Sequence, residues 1–223
     1  MKNKSTLTLP EEITLLMLRD DEGTVPMGTH STYALGGAIL AELLLHERVT
    51  VEKTRFSNKL VLQDASPIGD PFIDAALKQL VNTKRDAASS TWVARFGERK
   101  HLFHNIAQSL ADRGILLTET TKVLGLFTKK IYPELDPKPE EQLRERLREA
   151  IFETGVGVAE RTVIVLAIAN AIDVLRHNFD KAELKTRKKH IKQLVEGDQA
   201  SKAVSNAIEA MQAAMIALIV VTT

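Results

Sequence analysis

Ten consecutive residues, Val163 to Ile172 (VIVLAIANAI), carry a single polar side chain among them. A helix that is apolar on nearly every face is stable only when other elements sheathe it. The segment is therefore read as the core of one long central helix from Val158 to Asn178, and the rest of the chain must supply the layer around it.

That layer is legible as amphipathic periodicity. Thr8 and Glu11 form a capping box, with Pro10 in the first turn, ahead of a helix that carries Ile13, Leu16 and Met17 and stops between Arg19 and Gly23. Ser31 caps a second helix through Leu45, in which Leu35, Ile39 and Leu43 recur. Gly36 and Gly37 each cost this helix roughly 1 kcal/mol, so another backbone is expected to pack closely there. Asp70 caps a helix carrying Phe72, Ile73, Ala76, Leu77 and Leu80. A short helix surrounds Trp92, and a longer one from Glu98 to Arg113 closes at Gly114. Glu140 to Phe152 presents Leu143, Leu147 and Ile151 on one face, with Glu140 and Arg144 paired at four-residue spacing. Helices at Lys181–Val195 and Gln199–Val221 complete the set.

Two segments break the helical period. Val49 and Val51 alternate with Thr50 and Glu52 before Leu60, Val61 and Leu62, which reads as a β-hairpin. Val123 to Phe127 and Ile131 to Tyr132 flank Thr128, Lys129 and Lys130, a second hairpin with a basic tip. The fold class is thus mainly α: a single multi-helix domain over residues 7–223 around a buried central helix, with one or two small β-hairpins and a short tail at 1–6.

Composition removes several function classes. The 30 basic and 29 acidic side chains leave a net charge of +1, so no global field drives the chain onto nucleic acid, and anion binding must come from a local patch. With no cysteine there is no disulfide or thiolate chemistry. The early charges of Glu11 and Glu12 break any signal-peptide core, so secretion is not expected. Ala210 to Val221 is interrupted by Gln212 and falls short of the roughly 20 apolar residues a membrane span needs. No transmembrane span is expected.

Catalytic motifs fail on inspection. Gly23 to His30 (GTVPMGTH) spaces its glycines like a phosphate loop but has threonine where the lysine is required, and it reads as a turn. GVGVAE at Gly155 to Glu160 lacks the third glycine of a dinucleotide loop. Glu98, His101 and His104 recur every three residues, as metal ligands along one helix would, but nothing obvious completes the set. No Gly-x-Ser-x-Gly elbow or Ser/His/Asp set is present. The expectation is a non-enzyme without cofactor or metal. Two basic regions remain: Arg95, Arg99 and Lys100 beside Trp92, and Arg187, Lys188, Lys189, His190 and Lys192. Converging cationic donors suit phosphorylated headgroups.

Four segments in fixed order, Leu7 to Gly23 (LTLPEEITLLMLRDDEG), Ala34 to Glu52, Ser66 to Leu77 (SPIGDPFIDAAL) and Asp173 to Leu194, resemble the Golgi phosphoprotein 3 family. The resemblance implies a helical domain that docks on membranes bearing phosphatidylinositol 4-phosphate. In that family the headgroup pocket takes a tryptophan after the first helix, an arginine in the second, and two arginines three residues apart leading into the helix that ends here at Gly114. The matching positions hold Met27, Gly36, Lys100 and Phe103, of which Lys100 alone keeps a positive charge. The short N-terminus resembles bacterial-type members.

The family's second hairpin is associated with self-association and membrane contact, which implies a role here for Leu126, Phe127, Lys129, Lys130 and Ile131. The expected function is a peripheral adaptor on the cytoplasmic membrane face. It binds anionic phospholipid through Lys100, Arg99 and Arg95, and forms a homo-oligomer through the 123–132 hairpin. The alternative is a soluble helical scaffold for protein partners without lipid binding.

Overall fold

The computed structural model describes residues 6–18, 23–24, 30–55, 58–83, 87–123, 127–153, 157–196 and 205–213, with the backbone alone at Val123 and Phe127. Helices α1 (Leu9–Met17) and α2 (His30–Leu45) precede a hairpin of β1 (Val49–Lys53) and β2 (Asn58–Leu62). Then come α3 (Pro71–Val81), α4 (Ser89–Gly97), α5 (Leu102–Asp112), a second hairpin of β3 (Glu119–Val123) and β4 (Phe127–Ile131), α6 (Lys138–Phe152), α7 (Glu160–Ala171), α8 (Leu175–Asn178) and α9 (Lys181–Glu196). Residues 205–213 form one more helical stretch. The fold is mainly helical with two small antiparallel hairpins, as the periodicity requires.

The core is a triangle of α1, α2 and α7, each packed on the other two. Thr162 to Ala169 of α7 is buried throughout, as its composition demands. The expected single helix from Val158 to Asn178 is interrupted, however: α7 ends at Ala171, and Asp173 adopts φ 62, which turns the chain before α8. α1 was expected to bury one face, yet every residue from Leu9 to Met17 is buried.

That burial includes two carboxylates. Glu11 accepts from the Thr8 N–H at 2.9 Å, one half of the capping box, and pairs with Arg113 at 2.6 Å. Glu12 lies 3.5 Å from Arg161, and 3.0 Å from Arg146 in an ion pair that is out of hydrogen-bond alignment. Arg161 continues to Glu42 of α2 at 2.7 Å, and Glu42 also accepts the Leu9 N–H at 2.6 Å. One chain of charges therefore ties α1, α2, α6 and α7 together. Breaking a buried pair of this kind costs about 3–5 kcal/mol.

α2 packs along α4 at glycines. A β-carbon on Gly36 would lie 2.0 Å from the Val93 carbonyl oxygen, and one on Gly97 would lie 2.0 Å from that of Thr32. The close approach expected at Gly36 is thus present, and Gly37 faces the Met211 side chain instead.

Candidate functional site

Three of the expected cations start from adjacent stretches of chain but serve different ends. Arg99 turns inward, where its Nη1 donates to the Phe72 carbonyl at 2.8 Å, and burial pulls its pKa down from the usual guanidinium value. Arg95 lies over the Trp92 ring at 4.8 Å, with Nη1 buried and lacking a hydrogen-bond partner. Trp92 is itself 3% exposed, so it belongs to the core and cannot enter a lipid interface from this position. Lys100 is exposed.

The helix expected from Glu98 begins instead at Leu102, because His101 takes a left-handed conformation (φ 57, ψ 23) and no side chain caps the helix start. Glu98, His101 and His104 consequently do not share one continuous helical face. Among the described residues no group of histidine and carboxylate side chains is arranged to hold a metal. The Leu102 N–H at this helix start donates to the Arg99 carbonyl at 3.0 Å, and no side chain caps the positive end of the helix dipole. Lys100 stands immediately before it.

The second hairpin supplies what the sequence could not place. Glu119 pairs with Ile131 and Val123 with Phe127, so Lys129 and Lys130 lie within β4, opposite Thr121 and Thr120, and not at the tip. Tyr132, directly after β4, is buried, and its N–H donates to the Gly23 carbonyl at 2.8 Å. Its hydroxyl lies 3.2 Å from His104 Nδ1, and its ring meets Phe103 edge-on at 6.2 Å. This anchor holds β4 beside the start of α5, close enough for Lys130 and Lys129 to act on His104. Burial lowers the His104 pKa first, and the charges of His101, Lys130 and Lys129 lower it further.

Lys100, His101 and His104 from the start of α5 and Lys129 and Lys130 from β4 are all exposed, and although successive strand residues project to opposite faces, the charges of both Lys129 and Lys130 reach His104. Ile131 is half-buried. Gly36 lies apart from solvent, under α4, where a side chain has no room. Phe103 packs on Tyr132 and His104. Met27 and Leu126, the side chain of Phe127, and parts of both glycine motifs lie outside the described residues. The second basic region sits on α9, where Arg187 donates to the Phe152 carbonyl at 2.6 Å and His190 lies 3.1 Å from that of Ala150.

The family model described as Golgi phosphoprotein 3 (GPP34) matches residues 9–211. The chain belongs to the Golgi phosphoprotein 3 family. It is 30% identical over 169 residues to vacuolar protein sorting-associated protein 74 of Eremothecium gossypii, an alignment covering 68% of this chain. It spans about half of that relative's length, 51%. The match covers the α1–α2–α7 core together with the α5 and β3–β4 surface. Within this Golgi phosphoprotein 3 fold, no described helix is long and apolar enough to cross a membrane.

Proposed function

We propose that this chain is a non-catalytic peripheral adaptor that binds the anionic face of a phospholipid membrane, on the cytoplasmic side, through the surface made by the start of α5 and β4. The reading is supported by exposed Lys100, two residues before α5, and by Lys129 and Lys130 of β4, whose charges act on His104 in the first turn of that helix. Lysines are compact, flexible point charges. Arranged on an open surface, they suit a field of anionic headgroups better than one enclosed phosphate, each contributing about 1 kcal/mol near such a surface.

Phosphoinositide preference is weak in this reading. Of the four family pocket positions only Lys100 is cationic, and Gly36 cannot carry a side chain without parting α2 from α4. Arg95, held over Trp92, has a buried guanidinium nitrogen without a hydrogen-bond partner. Arg99 is committed to the Phe72 carbonyl of α3. Among the described residues the β3–β4 sheet has two strands, and a sheet edge suits pairing with a second copy of this chain.

The test is flotation on phosphatidylcholine vesicles doped to equal charge with phosphatidylserine or phosphatidylinositol 4-phosphate. The expected result is comparable recovery on both and little on phosphatidylcholine alone. Recovery on phosphatidylinositol 4-phosphate only would contradict the charge-driven reading.

A further inference from the structure

We propose that a trough between α9 and the α7–α8 end of the domain is a separate binding site for an acidic, amphipathic segment of a partner protein. The trough has a volume of about 650 Å³, with apolar residues including Ala167, Leu184 and Ile191 among its lining. Lys181, Lys185, Lys188 and Lys192 also line it. Their spacing of four, three and four residues puts them in one stripe along α9, about 16 Å long at 1.5 Å per residue.

Among the described residues, the charge on this stripe is largely unmatched from within. Two carboxylates line the trough, and each already has a cation: Asp173 pairs with Arg176 at 2.8 Å, and Glu196 with Lys192 at 3.6 Å. Lys181, Lys185 and Lys188 are left facing outward, all exposed. The opposite side of α9 contacts α6 through Arg187 and His190, so the lysine stripe lies on the side of the helix away from α6.

Shape selects the occupant. A bilayer surface is flat and meets the lysine rim without reaching Leu184 or Ile191, and a lone anion satisfies one or two of charges strung over about 16 Å. A helical or extended peptide with carboxylates along one edge and apolar side chains along the other satisfies both rim and floor, as amphipathic segments do in hydrophobic grooves. This site is built from elements other than those of the proposed membrane surface, and it stands whether or not that surface binds lipid.

The experiment is selection from a displayed library of random peptides about twelve residues long, the helical length that spans the stripe, on the full chain. Counter-selection uses Lys181→Glu/Lys185→Glu/Lys188→Glu. Enriched peptides should be net acidic with apolar residues every three or four positions. By fluorescence anisotropy, synthetic copies should bind the wild-type chain at least about tenfold more tightly than the charge-reversed variant. Ala171→Trp, which fills the trough without altering charge, should weaken them similarly, with both variants keeping the wild-type circular dichroism spectrum. Failure to enrich acidic sequences, or equal binding to the wild-type and variant chains, would overturn the proposal. So would a charge-reversed variant that loses anionic vesicles while keeping the peptides, since the stripe would then belong to a membrane face.

Discussion

The carbonyl oxygen of Val93 occupies the space that a β-carbon on Gly36 would need, 2.0 Å from it. The obstacle is backbone, which cannot swing aside as a side-chain tip can. Gly36→Arg, which restores the family's cation, should therefore destabilise the chain by about 3 kcal/mol and fail to raise phosphoinositide affinity. Urea unfolding with parallel vesicle binding checks both halves. Gly36→Ala should also destabilise, because the overlap outweighs the roughly 1 kcal/mol of helix propensity gained.

Arg99 and Lys100 are neighbours with opposite commitments. Arg99→Met should cost about 1 kcal/mol through the lost bond to the Phe72 carbonyl while leaving vesicle recovery unchanged. Lys100→Met should show the reverse pattern. Thermal melts and flotation on the same preparations separate the two roles.

The His104 pKa is lowered by burial and by the neighbouring cations, so the ring is neutral at neutral pH and gains charge only below its ordinary 6.5. Anionic vesicle binding should strengthen as pH falls through that region, by about 1 kcal/mol for each cation added at the surface. His104→Gln should reduce the rise. The folded state binds fewer protons there than the unfolded chain, so the free protein loses stability over the same acid window.

Burial raises the Glu12 pKa above 4.5 despite Arg146 and Arg161. Between 4.5 and the folded value the native state binds more protons than the unfolded one, so this group's contribution to stability grows as pH falls toward 4.5 and is lost as pH rises through the folded value. The stability lead of the wild-type chain over Glu12→Gln should be larger at pH 5 than at pH 7 in urea titrations. A constant lead would contradict the direction.

The helical core was readable because burial imposes a period. Val163–Ile172 has no polar face, and Thr162 to Ala169 of α7 is buried. Other features left no local mark. Glu11 and Glu12 look like ordinary first-turn acids, and only the arrival of Arg113, Arg146 and Arg161 from distant elements shows that they are structural. Likewise, Lys129 and Lys130 were visible as a basic pair, but their place beside α5 depends on the Tyr132 contacts to His104 and Gly23, a long-range register that no period encodes. The left-handed residue at His101, which separates α4 from α5, had no glycine to announce it.

Flotation of the wild-type chain and of Lys100→Glu/Lys129→Glu/Lys130→Glu on phosphatidylcholine vesicles, with and without phosphatidylserine, addresses the central claim most directly. The predicted result is recovery of the wild-type chain on the anionic vesicles alone, diminished by added salt and abolished by the charge reversal at unchanged thermal stability. Recovery of the reversed variant equal to wild type, equal recovery on neutral vesicles, or no recovery of the wild-type chain on either would contradict it.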